Sequence, residues 1–394
     1  MKVGYITAGR ISLLSPKGDA VHIRSFLENF VKIGGEIFLV RRITRKKVMN
    51  ERANFRIYDI KWMGSPPKFQ RLNSLIFNIR LCQAGSSIIR KEKPDILHER
   101  EGFLNLAGLL LANKFKIPYV LEINAPLIYE EGRHCSRIYQ EIEKIIEKKL
   151  FAGADRIIVV SNILKNYLLN QGVEEEKISV VQNGVDEKVF NPNIFGESVR
   201  KKYHLEDKEV ICFAGSLHQE WQGIDDLLKS AKIISSIKPS VRFLIIGNTE
   251  GQEEILKSAS DNVIFTGRIE HIKVPTYLAA ADILVAPYKL EEVFKDIGFY
   301  NSPVKLFEYM AMGKPIIASN IGQLGEILEH GKTGLLIEPG NYKELTEYIL
   351  TLLEDEQLKR KLGKNARSEV EKKYTWEHNA RRIMEIYNEV LGEQ

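Results

Sequence analysis

The sequence predicts two α/β domains, each built on a doubly wound parallel sheet. Three observations carry that expectation. Short β-branched runs alternate with helical stretches along almost the whole chain, as parallel strands covered on both faces require. The alternation comes as two series, one ending at Gln182 and one starting at Val210, joined by a linker over residues 185–193. The chain has 394 residues, and single hydrophobic cores stop growing at roughly 250–300. The expected division is 1–190 and 191–374, with a last helix in 375–394 packing back on the first domain.

The elements follow in order. Residues 3–7 form a strand, a glycine-containing loop follows, and Ile23, Phe26, Leu27 and Phe30 recur at the spacing of one helix face. Gly34-Gly35 ends that helix. Strands are then predicted over 36–40, 95–98, 119–123, 156–160 and 178–182, with Ser161 capping the helix after the fourth of these. In the second series the strands are 210–214, 243–246, 263–266, 283–286 and 315–318, and charged amphipathic helices close the chain over 342–354 and 356–373.

Composition narrows the class. Hydrophobic residues at 44% and charged residues at 28% describe a globular protein. No apolar run approaches the roughly 18 residues of a membrane span. Residues 1–6 run straight into a strand pattern, so no secretion signal is expected. The three cysteines, Cys82, Cys135 and Cys212, lie far apart and suit a reducing cytoplasm. A net charge of +5 is too small to imply nucleic-acid binding. Two basic clusters, Arg41 to Lys47 and Lys68 with Arg71, read either as solvated loops or as contacts to an anionic membrane surface or acceptor.

In open parallel sheets ligands bind beyond the strand carboxyl ends, so two such domains place the active site in a cleft between them. The segment Ser302-Pro303-Val304-Lys305-Leu306-Phe307-Glu308 reads as a capped helix start, with Ser302 as N-cap and Pro303 as first helical residue. Free N–H groups there make an anion site. Lys305 and Glu308 share one helix face: the cation suits a diphosphate, the carboxylate a pair of ribose hydroxyls. An ordinary helix with one surface ion pair fits the same residues.

The full pattern, Ser302-Pro303-x-Lys305-x-x-Glu308-Tyr309-Met310-Ala311-x-Gly313-x-Pro315, resembles the donor-binding signature of the family-four retaining glycosyltransferases of the GT-B fold. Residues 154–161, 181–192, 263–269, 281–287, 331–336 and 374–376 resemble further segments of that family in the same order. The resemblance implies two Rossmann-like domains facing a central cleft. It also implies donor or acceptor contacts at Gly18, Asp19 and His22, in the turn that opens the first helix, and donor contacts at Ser302 and Leu306; a capping or packing role fits His22 as well. Asn124 falls where many members carry histidine; asparagine can orient a sugar but cannot carry a proton. Ser216 and Gln222 stand where members commonly have arginine and lysine, so the missing charge is assigned to Lys305, helped by Arg268. Tyr300 replaces the first of two glutamates, so the sugar would be held by backbone, Asn301 or Tyr300.

The reaction implied is hexosyl transfer from a nucleotide-diphosphate sugar to a hydroxyl of a glycan or lipid-linked acceptor, with the anomeric configuration kept, in cell-surface polysaccharide or glycolipid synthesis. Lys305, Glu308 and Asn124 would carry it. No Asp-x-Asp motif stands at a strand end, so no metal or cofactor beyond the donor is expected. The expected site is the cytoplasm or the inner membrane face. A nucleotide-sugar epimerase, a glycogen-synthase-like elongating enzyme and a degenerate binding protein on the same fold remain alternatives.

Overall fold

The computed structural model describes residues 1–10, 12–15, 18–43, 53–61 and 70–392. Its contacts divide the chain into two units. Unit 1 comprises residues 1–182, 300–302 and 376–394; unit 2 comprises 183–299 and 303–375.

Unit 1 opens with β1 (Lys2–Arg10), α1 (Gly18–Lys32) and β2 (Glu36–Ile43). The face of α1 that carries Ile23, Phe26, Leu27 and Phe30 is buried, and Gly34 follows the helix at φ +95°, a conformation favouring glycine. Next come β3 (Arg56–Lys61), α2 (Gln70–Glu92), β4 (Ile96–Arg100), α3 (Ala107–Phe115) and β5 (Tyr119–Ile123). They are followed by α4 (Leu127–Glu130), α5 (Arg137–Gly153), β6 (Arg156–Val159), α6 (Asn162–Asn170) and β7 (Ile178–Val180). The Ser161 hydroxyl accepts from Leu164 N at 3.4 Å and caps α6. Among the described residues the strands form one parallel sheet in the order β3-β2-β1-β4-β5-β6-β7. Tyr5 lies between Leu39 and His98 in register.

Unit 2 contains α7 (Glu197–Lys202), β8 (Val210–Ala214), α8 (Ile224–Ile237), β9 (Arg242–Ile246), α9 (Glu253–Ser258) and β10 (Val263–Gly267). It continues with α10 (Val274–Ala279), β11 (Ile283–Ala286), α11 (Val304–Ala311), β12 (Ile316–Ser319), α12 (Gly322–Ile327) and β13 (Leu335–Ile337). Two helices close it, α13 (Tyr342–Glu354), capped by Asn341, and α14 (Glu356–Lys373), capped by Asp355. Its parallel sheet has the order β10-β9-β8-β11-β12-β13. Phe213, Leu227, Ile245, Val285 and Ile349 form part of its core. The last helix, α15 (Trp376–Leu391), belongs to unit 1, where Ala380, Ile383, Ile386 and Tyr387 share a core with Phe26 and Phe30.

The periodicity reading passed over β3, α2 and β13. β3 buries only Ile60 among exposed and part-buried residues, and charged residues interrupt it, so it carries no continuous apolar run. On α2 the apolar side chains lie on more than one face: Phe77 and Leu81 are buried while Leu72, Ile76 and Ile79 are exposed. β13 has only three residues.

The basic clusters take a different form from the one expected. Arg41 and Arg42 are buried on β2; Arg41 bonds Asp59 at 2.8 Å and Arg42 lies over the Phe77 ring. Arg71 pairs with Glu131 at 2.8 Å. Arg41 and Arg42 serve the fold because β2 is an inner strand with both faces covered, so adjacent positions are buried on opposite sides. Arg45, Lys46, Lys47 and Lys68 lie outside the described residues, as does Lys17.

Candidate functional site

Where strand order reverses, the loops on either side part and leave a crevice beyond the carboxyl ends. In unit 2 that point lies between β8 and β11. The segment after β8 runs from Gly215 through a 3-10 turn over Glu220–Gln222 to Gly223. The segment after β11 begins Pro287-Tyr288 and leads on towards α11.

Lys305 sits in the first turn of α11. Its Nζ donates to Gln222 Oε1 at 2.5 Å and lies 4.2 Å from the centroid of Phe213 and 5.1 Å from that of Tyr288. No carboxylate forms an ion pair with it among the described residues. Burial therefore pushes its pKa down to about 7, against the opposing pull of Glu308. Gly215 makes this arrangement possible: a Cβ there would fall 2.1 Å from Gln222 Oε1 and 2.3 Å from Lys305 Nζ. Gly223 is demanded twice over, by φ +70° and by Pro287 O, which would lie 1.8 Å from an added Cβ.

Glu308, one turn on, is buried, and its Oε1 lies 2.7 Å from His271 Nε2. Lys305 and Glu308 thus have separate partners and do not form the surface ion pair that the alternative reading offers. The carboxyl end of α11 is held by Arg367, whose guanidinium donates to Ala311 O at 2.7 Å and Phe190 O at 2.8 Å. Gly363 on α14 lets the chain approach, since a side chain there would meet Gly313 O at 2.1 Å.

The start of α11 differs from the expectation. The helix begins at Val304, and Pro303, at ψ 112°, stands outside it as the N-cap with no side-chain cap bond. Proline's extended ψ moves the boundary one residue on, so Ser302 is not the cap. Leu306 is fully buried and its N–H bonds Pro303 O at 3.0 Å, so neither its side chain nor its N–H is open to a ligand. Ser216 Oγ accepts from His218 N at 3.3 Å. Arg268 is exposed and makes no ion pair among the described residues.

In unit 1 the reversal lies between β1 and β4. Beside it, Glu122 on β5 gathers a buried polar network. Its Oε1 accepts from Arg100 Nη1 at 2.8 Å and from Asn124 Nδ2, and lies 3.0 Å from His22 Nε2. Its Oε2 accepts from Tyr5 OH at 3.0 Å and lies 3.1 Å from His98 Nε2. The other His98 nitrogen is 2.5 Å from Tyr387 OH on α15. Burial alone would raise the Glu122 pKa; His22, His98 and Arg100 outweigh it and hold the carboxylate well below its usual range. Asn124 is therefore oriented by Glu122, and His22 is a buried member of the same network, edge-on to Trp376. Asp19 Oδ1 accepts from Ala20 N at 2.8 Å. Gly18 is exposed, and an added Cβ would meet nothing within 4 Å, so packing does not demand glycine there.

Tyr300 is buried, and its hydroxyl donates to Glu130 Oε1 at 2.6 Å while its carbonyl accepts from Ser161 Oγ at 2.8 Å. Its phenol is thus taken up by protein, and Asn301 beside it is part-buried. Sequence reasoning did not single out Arg100, Glu122 or His271. Glu122 had a signal, as the charged residue near the carboxyl end of an otherwise apolar strand, and Arg100 a weaker one, as the last of three polar residues ending β4. His271 had none.

Comparison with known proteins agrees with this architecture. A family model for Glycosyltransferase Family 4 matches residues 16–189, and one for Glycosyl transferases group 1 matches residues 208–355. The putative glycosyltransferase YtcC of Bacillus subtilis is 30% identical over 329 residues, covering 75% of this chain and 77% of that protein. The capsular polysaccharide biosynthesis glycosyltransferase CapM of Staphylococcus aureus is 29% identical over 322 residues, covering 78% of this chain and 80% of that one. The crystal structure of Anabaena HepE in complex with UDP and glucose superposes with a TM-score of 0.75 at 17% identity, covering 99% of this chain and 100% of that one. The chain belongs to the glycosyltransferases and has the GT-B fold, with one parallel α/β sheet in each unit.

Proposed function

We propose that this glycosyltransferase moves a hexosyl group from a nucleotide-diphosphate sugar to a hydroxyl of a glycan or lipid-linked acceptor, keeping the anomeric configuration. The observation that carries the reading is Lys305: a cation on the first turn of α11, beside the point of strand reversal, with no carboxylate paired to it among the described residues. Negative charge grows on the donor phosphate as its bond to the anomeric carbon breaks. A fixed cation and the free N–H groups at the helix start stabilise that charge most in the transition state. The acceptor oxygen then bonds the anomeric carbon on the face the phosphate leaves, and its proton passes to that phosphate. Glu308, steadied by His271, anchors the ribose hydroxyls and takes no part as nucleophile. Asn124, held by Glu122, orients the sugar, and Asn301 contacts it. Positive charge comes from protein groups, so the reaction as proposed needs no metal. The rivals named above would differ in outcome: an epimerase would release free epimerised sugar without an acceptor.

UDP and glucose bound to HepE make a uridine nucleotide the first donor to try, and CapM's role in capsular polysaccharide biosynthesis supports a polysaccharide acceptor. The test is calorimetric titration of UDP-, GDP- and ADP-sugars against wild type and Glu308→Ala, with and without a chelator. One donor should bind, chelator or not, and lose its affinity in the variant. Binding of none would overturn the reading. Proton NMR of the product's anomeric signal decides retention.

Attachment to the inner membrane face is a second part of the proposal. It is supported by the exposed stripe Leu72, Ile76 and Ile79 on α2, since Arg41, Arg42 and Arg71 are taken up by the fold. No described helix is long and apolar enough to cross a membrane.

A further inference from the structure

The loop after β8 lacks the two cations that the family commonly carries there, and Gln222 occupies one of those positions. The geometry makes Gln222 more than a vacancy. Its side chain is buried, its Oε1 is the hydrogen-bond acceptor for Lys305 Nζ at 2.5 Å, and Gly215 is bare so that both groups fit. On its other sides the ammonium meets the faces of Phe213 and Tyr288. An amide oxygen and two rings hold an ammonium in place without neutralising it. Among the described residues the titratable groups around it are Glu308 on its own helix and the Tyr288 phenol, which burial pushes well above its usual range.

We propose that Gln222 is a positioning residue that holds Lys305 ready for the donor diphosphate, and that donor binding draws a proton onto Lys305. This rests on the donor-site reading above. The physical reason is that a desolvated lysine without a counter-ion gives up its proton easily, and the arriving phosphate supplies that counter-ion. With the free lysine titrating at about 7, binding should take up roughly 0.9 proton at pH 8 and about 0.1 at pH 6. Affinity should weaken up to about tenfold per pH unit above neutrality.

The experiment is calorimetry of the full chain with UDP-glucose, GDP-mannose and ADP-glucose, whose diphosphates do not titrate near neutrality. Each titration is run in HEPES and in Tris, so that the difference in heat counts protons. Uptake that rises from pH 6 to pH 8 in wild type and vanishes in Lys305→Met supports the proposal. In Gln222→Glu the carboxylate should keep Lys305 charged beforehand and abolish uptake. In Gln222→Leu the midpoint of the affinity profile should move to lower pH. Binding without proton uptake in wild type overturns the proposal and leaves the donor site standing, and needs no variant to fold. An unmoved midpoint in a folded Gln222→Leu protein removes the positioning role. No binding of any of the three overturns the donor-site reading and this proposal together.

Discussion

At the scale of the residue, Lys305 is the side chain whose loss should be felt most. Removing a single donor aimed at developing charge costs about 10²–10³ in turnover. Lys305→Ala should show a loss of that order in initial rates, with weaker donor binding by calorimetry. Unchanged kinetics would withdraw its role at the phosphate. Two glycines separate function from folding in the same loop. Gly215→Ala places a methyl group 2.1 Å from Gln222 Oε1, 2.3 Å from Lys305 Nζ and 2.8 Å from the buried Phe213 ring, all of them side chains. The protein should still fold, with a Tm lowered less than in Gly223→Ala because side chains and no backbone must give, and lose activity because Lys305 is displaced. Gly223→Ala meets a backbone carbonyl at 1.8 Å and a left-handed φ, so it should lower stability by more than about 1 kcal/mol. A Tm equal to wild type in Gly223→Ala would contradict that packing.

At the scale of the element, α5 carries an electrostatic strain that the rest of unit 1 accommodates. Glu143 is fully buried and its Oε2 accepts from Leu104 N at 2.7 Å; Glu147, one turn on, accepts from Ile128 N at 3.3 Å. Burial, with Glu147 nearby, raises Glu143 to about 8, and burial raises Glu147 to about 7. The unfolded chain releases these protons near the ordinary carboxyl value of 4.5, so between about pH 4.5 and 8 it binds fewer protons than the native state and stability falls as pH rises. For Glu143 alone the effect is on the order of 5 kcal/mol. Glu143→Gln keeps the acceptor for Leu104 and cannot ionise. Its Tm should exceed that of wild type at pH 8.5 and match it at pH 4; a gap independent of pH would contradict the cause given. On α2, replacing Leu72, Ile76 and Ile79 with serine should reduce sedimentation with phosphatidylglycerol vesicles while leaving Tm nearly unchanged, since the three are exposed. Equal sedimentation would remove this stripe from any membrane role.

At the scale of the whole molecule, the sequence runs past one sheet and returns to it. Trp376, Ala380, Ile383, Ile386 and Tyr387 are buried in unit 1. Each large apolar side chain contributes about 1.5–3 kcal/mol by burial, which together rivals the stability of an entire domain. Ending the chain after Thr375 should therefore strip hydrogen-exchange protection from β1 and α1 while residues 183–375 keep theirs. Retained protection in β1 would show that α15 is dispensable.

The legible parts of this protein are those where a local pattern decides the outcome. The predicted 119–123, 210–214 and 283–286 match β5, β8 and β11, because buried parallel strands need continuous apolar runs. The face of α1, the Ser161 cap and the stop at Gly34 were legible for the same reason: each depends on neighbours within a few residues. Lys305 and Glu308 could be placed on one helix, but their partners could not be read. Gln222 and His271 come from positions 83 and 37 residues away, and no periodicity reports such pairs. Arg41 and Arg42 looked like solvent-facing charge, and only the neighbouring strand and helix turned them inward. The sequence by itself determined the strands, the helices and their alternation, hence the fold class, because those follow from short-range sterics and from which faces are apolar. Tertiary structure alone decided which charges are neutralised and which are left bare, because desolvation and partner choice depend on what long-range packing brings within hydrogen-bonding distance.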